Sequence, residues 1–173
     1  VGTESIAAPQ ILTTVSAGGN AGYVDTSVGV TTSAMSTQST NAAVPITGMT
    51  WTVANSKNYL LDCHIPITFT STATLAFSLG NTGGAATSYS LDAQGLLGAA
   101  TTFGEINTLA QTAFATKTST SGAVAGTTVA HVWAEIQGGA SMAGTLTLST
   151  WNVAAAGTIQ VLANAVCRLT QEN

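Results

Sequence analysis

Residues 58–80 read N-Y-L-L-D-C-H-I-P-I-T-F-T-S-T-A-T-L-A-F-S-L-G, and the first half of this stretch alternates strictly. Tyr59, Leu61, Cys63, Ile65, Ile67 and Phe69 fall on one side of an extended backbone, and Leu60, Asp62, His64, Pro66, Thr68 and Thr70 on the other. A period of two over that length predicts a half-buried β-strand, because successive side chains leave a pleated strand on opposite faces. The large apolar and β-branched groups suit a face packed on a second layer. Residues 71–74 offer a turn, after which Leu75, Phe77 and Leu79 resume the alternation until Gly80-Asn81 ends it. The whole stretch predicts a central hairpin of an all-β domain.

Upstream, the pattern is less regular. Residues 1–9 predict an extended arm, 10–16 a short strand, 17–22 a glycine-rich turn and 23–30 another short strand. Residues 31–41 (T-T-S-A-M-S-T-Q-S-T-N) are polar and of low complexity. Such sequence predicts a flexible loop, or a segment that orders only across a neighbouring subunit. Downstream, residues 49–53, 87–91, 127–137, 145–151 and 158–169 alternate as strands, with glycine-bounded connections such as 138–144 between them. Residues 106–114 differ: apolar side chains at 106, 109, 110, 113 and 114 have helical spacing and predict one short helix. About six to eight strands with glycine-rich turns predict an antiparallel β-sandwich of jelly-roll type. The sandwich is placed at residues 46–173, with an N-terminal arm and short strands in residues 1–45.

Composition changes this picture in one respect. Only 6% of the 173 residues are charged, against about 25% in an ordinary globular protein. With a net charge of −4, little electrostatic repulsion keeps copies apart. Much of the uncharged surface is therefore expected to be buried against other copies or other proteins. Lys57, Lys117 and Arg168 are the basic residues, too few to form a stripe that neutralises phosphates, so nucleic acid is not an expected partner. No apolar run approaches the roughly 20 residues of a spanning helix. The N-terminus carries no basic-then-apolar leader pattern, and no aromatic girdle marks a membrane barrel. A membrane is likewise not an expected partner. Cys63 and Cys167 each sit within an apolar alternating run, and without a cysteine-rich pattern they are expected to be buried reduced thiols, a single disulfide being the alternative.

Candidate chemistry is sparse. Asp62 and His64 share the outer side of the central strand, and His131 and Glu135 share a side of a later one. Were those strands neighbours, two imidazoles and two carboxylates would have the ligand types of a nitrogen–oxygen metal site. The reading adopted is exposed polar residues on solvated or interface faces, so no catalytic residue, metal ligand or cofactor is assigned. Around Ser141 the run G-G-A-S-M-A-G is explained by turn chemistry and lacks the G-x-S-x-G nucleophile elbow. Trp51, Trp133 and Trp151 are candidates for a sugar-stacking platform, with buried or interface aromatics as the alternative. No enzyme is expected. Ile11, Leu12 and Val15 are candidate apolar anchors in the N-terminal arm, unless they begin the domain's own first strand, and Trp133 is a further candidate interface residue.

Three segments carry a resemblance. Residues 53–63 (V-A-N-S-K-N-Y-L-L-D-C), 138–148 (G-G-A-S-M-A-G-T-L-T-L) and 165–171 (A-V-C-R-L-T-Q) resemble strand-and-turn patterns of small virion structural proteins of tailed bacteriophages. The resemblance covers roughly residues 45–171. It implies a β-sandwich built into a phage particle, either a capsid decoration (cement) protein, commonly a homotrimer, or a tail- or head-fibre module that binds host glycan. For the cement role the implied partners are the chain itself and the major capsid protein. The implied place is the outer capsid surface, after synthesis in the host cytoplasm. No catalytic residues accompany the resemblance.

Overall fold

The computed structural model describes residues 13–15, 22–24, 26–95, 104–118, 121, 124–154 and 156–172. Among these residues there are twelve strands and no helix: β1 (Thr13–Val15), β2 (Gly22–Val24), β3 (Thr26–Val30), β4 (Val44–Val53), β5 (Asn58–Ala73), β6 (Leu75–Asn81), β7 (Ser88–Gly95), β8 (Gly104–Gln111), β9 (Val124–Gln137), β10 (Gly144–Asn152), β11 (Ile159–Val161) and β12 (Val166–Glu172). β1 and β2 pair with each other. A wide seven-stranded sheet has the order β3-β12-β5-β9-β7-β8, with β11 also on β5, and a narrow three-stranded sheet has the order β4-β10-β6. Every pairing is antiparallel. The inward residues of both sheets make one apolar core, to which β5 contributes Tyr59, Leu61, Ile65, Ile67 and Phe69, and the narrow sheet Ile46, Trp51, Phe77, Leu79 and Leu148. The protein is thus an antiparallel β-sandwich.

The alternation of β5 is realised residue by residue, with the odd positions from Tyr59 to Phe69 buried. Pro66, which has no N–H for a ladder, sits on β5 where its neighbours leave a gap. β12 pairing ends at His64↔Val166, and β11 pairing begins at Ile67↔Val161.

The expected central hairpin does not form. β5 pairs with β9, β11 and β12, whereas β6 pairs with β10 in the other layer, so the chain changes sheets at Thr74. The physical reason is the second face of β6. Leu75, Phe77 and Leu79 face the core, while Ala76 and Ser78 are also buried. The edge of β6 is sealed by the following segment: Thr118 N–H donates to Phe77 O (2.8 Å) and Ser121 N–H to Leu75 O (2.9 Å). The Thr118 and Ser121 hydroxyls accept from the Phe77 and Leu75 N–H groups in return.

The expected helix at residues 106–114 is instead strand β8 and the chain that follows it. Ile106 and Thr108 are buried, facing Ala93 and Leu91 of β7. Between Leu91↔Thr108 and Tyr89↔Gln111 one extra residue enters β8, and Ala110 takes a φ of 51°. This bulge shifts the phase of the alternation, which in sequence mimics a helical period.

A second bulge lies in β4, where five residue steps from Pro45 to Thr50 face two steps of β10. Gly48 takes a φ of 83° there, and Ile46 and Met49 both turn inward. A Cβ on Gly48 would lie 2.6 Å from Val30 O, across the sandwich edge. Gly48→Ala is expected to cost about 1–3 kcal/mol of stability, from left-handed backbone strain plus that collision. Urea denaturation of the variant checks this, and an unchanged midpoint would contradict it.

Residues 31–41 are not a free loop. Thr31 N–H donates to Ala165 O (3.0 Å), Met35 N–H to Val161 O (2.9 Å) and Gln38 N–H to Ile159 O (2.7 Å). Gln38 is buried and its side chain donates to Thr150 Oγ1 at 2.7 Å. The polar stretch is satisfied on its own domain, along the chain segment around β11. The preceding β3, within the stretch read as arm and short strands, forms an edge of the wide sheet against β12.

Cys63 and Cys167 form a disulfide, correcting the expectation of reduced thiols. The register places them directly opposite each other on β5 and β12, with Cα atoms 4.0 Å apart. Across 104 residues of sequence, nothing local announces that pairing.

Candidate functional site at the outer face of the wide sheet

With the odd positions of β5 buried, its even positions form an outward surface together with those in register on neighbouring strands. One row across the sheet reads Val30, Val166, His64, His131, Gln94 and Glu105, from β3 to β8. The adjacent row reads Val28, Arg168, Asp62, Trp133, Asp92 and Asn107. Asp62, Asp92, Glu105 and Glu135, four of the seven acidic residues, share this face with both histidines. A chain nearly devoid of charge has therefore collected most of its titratable groups on one surface.

At its centre, β5 and β9 bring three of them together. His64 and His131 are direct cross-strand partners, and their rings stack with centroids 4.7 Å apart at 17°. His131 Nε2–H donates to Asp62 Oδ1 at 2.7 Å. The Trp133 ring leans on His131, centroids 5.2 Å apart at 44°. Potential ligand atoms of Asp62, His64 and His131 all lie within 4.8 Å of one another. Glu135 stands opposite Leu60, beyond Trp133 along β9, and is not among them. Farther along the row, burial pushes the Asp92 carboxyl above the ordinary carboxylate range, reinforced by the negative charges of Glu105 and Glu135. Its Oδ1 is buried without a hydrogen-bond partner.

The same face is also apolar. Among the described residues the exposed large hydrophobics are Val28, Val30, Leu60, Leu109, Val129 and Val166. All six are on this surface: Val28 and Val30 stand opposite Arg168 and Val166, Val129 opposite Pro66, and Leu60 opposite Glu135, while Leu109 follows Asn107 on β8. Single exposed apolar residues are ordinary; here all those among the described residues share one face.

Of the residues proposed from sequence as interface anchors, Ile11 and Leu12 lie outside the described residues, and Val15 belongs to β1, of which the backbone pairing is described. Trp133 is on the outer face of the wide sheet, partly exposed. The three tryptophans do not form a platform. Trp51 is buried in the core, and Trp151 in the narrow sheet donates to Ser78 Oγ (2.8 Å) under the Lys117 ammonium, 4.7 Å from the ring centroid. The loop at Asn81 is held rather than free, since Asn81 Nδ2 donates to Met142 O (2.7 Å) and Gly84 N–H to Ser141 O (2.6 Å). Ser141 lies in the turn between β9 and β10. The sequence alone does not single out the valines of the outer face. Their signal was present in Val129, an apolar residue in phase with outward His131 and Glu135.

No known protein family, curated protein or solved structure matches this chain.

Proposed function

We propose that this chain is a structural protein of a tailed-phage virion: a capsid decoration (cement) protein that binds the outer shell as a homotrimer and stabilises it by bridging coat subunits. The fold would be a variant of the jelly-roll sandwich. The observation that carries the assembly role is the outer face of the wide sheet, which holds all six exposed large hydrophobics among the described residues, in a chain with 6% charged residues. Burial of such a surface contributes roughly 25 cal/mol per Å² of apolar area before the costs of association. Repetition over a lattice then raises avidity by factors of about 10²–10⁴ without any new contact. The buried Cys63–Cys167 bond suits a protein that works outside the reducing interior of a cell. Assignment to a phage rests on the resemblance in residues 53–63, 138–148 and 165–171.

The test is the copy number per purified virion, measured against the major capsid protein as internal standard. A ratio comparable with the coat protein is expected. A ratio far below it would move the chain to a tail or vertex and favour a fibre module, and absence from particles would overturn both.

A further inference from the structure

We propose that Asp62, His64 and His131 form a binding site for a divalent transition-metal ion, Zn2+ foremost. The site is independent of the assembly role and stands whether or not this face meets a capsid. Two imidazoles and one carboxylate are ligand types that Zn2+ accepts, and three protein ligands leave a coordination position open. Tetrahedral zinc with bonds of about 2.0–2.2 Å places its ligand atoms about 3.3–3.5 Å apart. The three side chains already offer atoms within 4.8 Å of one another. They are also exposed, 46% for the His131 side chain and 58% for Asp62, so small rotations are free to close the remaining distance. On binding through Nε2, the proton that bridges His131 Nε2 and Asp62 Oδ1 leaves that nitrogen while Nδ1 takes one up from solvent, so the imidazole stays neutral.

What distinguishes this cluster from surface residues that happen to meet is its support. His64 and His131 are fixed by direct cross-strand register, not by loops. Asp62 and His64 flank Cys63, whose side chain leaves the opposite face and is bonded to Cys167 of β12. The backbone beneath two of the three ligands is therefore covalently tied to the neighbouring strand. Pre-set ligand geometry of this kind lowers the ordering cost of binding. Val166 and Gln94 continue the histidine row, and Arg168 stands opposite Asp62, whose Oδ1 is hydrogen-bonded to His131. Imidazole ligands disfavour Ca2+ and Mg2+, which take oxygen.

The experiment uses the tag-free, oxidised full chain. Isothermal titration with Zn2+ is expected to saturate at one equivalent per chain, and a tenfold excess of Ca2+ or Mg2+ should not compete. Because the chain holds only two histidines, long-range 1H–15N spectra contain two ring systems, and both should shift with the added metal. His64→Ala and His131→Ala should each weaken binding at least about tenfold, with Glu135→Gln unchanged. Circular dichroism melts verify that the variants fold. Absence of saturable binding, movement of one ring alone, or equal affinity in the doubly substituted His64→Ala/His131→Ala chain would overturn the site.

Discussion

Replacing Cys63 and Cys167 together by alanine is expected to lower the free energy of unfolding by about 2–5 kcal/mol. The bond joins residues 104 apart, and in the chain-entropy account a loop of about 100 residues corresponds to about 4.7 kcal/mol. It links the central strand of the wide sheet to the last strand of the chain, so the unfolded ensemble it restricts includes most of the sandwich. For a domain of this length, each kcal/mol shifts the melting temperature by about 2–4 °C, so the variant should melt about 4–20 °C lower. Differential scanning calorimetry of wild type and variant, with and without reductant, measures this. Both sulfurs belong to fully buried residues, so brief treatment with reductant should leave the folded wild type intact while denatured wild type is reduced. Equal melting of variant and wild type would show that the bond contributes nothing.

Adding carboxylates at the exposed valines of the outer face should have the opposite profile, a small effect on folding and a large one on assembly. Val129 and Val166 are 51% and 42% exposed and sit on β9 and β12, on either side of β5. Exposed substitutions usually alter stability by about 0.5 kcal/mol or less. Burying an ion in a partner interface, by contrast, costs several kcal/mol per charge, and about 1.4 kcal/mol is a factor of ten in affinity. Val129→Asp with Val166→Asp is therefore expected to weaken association by about a hundredfold or more while the melting temperature holds. Analytical ultracentrifugation reads the free oligomer, and copy number on particles reads docking to the shell. On the cement reading, particles carrying the variant also lose DNA at a lower temperature. Full association of the doubly substituted chain would remove this face from the assembly role.

The alternation from Tyr59 to Phe69 told which side chains go inward because that property is local to one strand. Which strands lie side by side is not local. The partners of Cys63, His64 and Asp62 are more than sixty residues away, at Cys167, His131 and Arg168, and no short-range period encodes their register. Asp62, His64 and His131 were each recognisable as potential ligands, and only the β5–β9 pairing makes them a cluster. Phase shifts account for a second class of differences. The extra residue in β8 near Ala110 gave Ile106, Leu109 and Ala110 a helical spacing on an extended chain. In sequence the corner at Thr74 looks like a hairpin turn because alternation runs on both sides of it, whichever sheet the second strand joins. Residues 31–41 carried too few apolar side chains to announce a place in the fold, and their attachment is mostly through backbone groups, which every sequence possesses.

The bond between Cys63 and Cys167 also bears on what happens when the chain is cut. A protease that nicks an exposed connection anywhere between those two residues leaves fragments that are still one molecule, one carrying the central strand and the other the final strand, joined through sulfur within the core. Severing the backbone there does not by itself release a piece. On the proposed virion role, where no resynthesis replaces a damaged copy, the cross-link would keep a nicked chain in place.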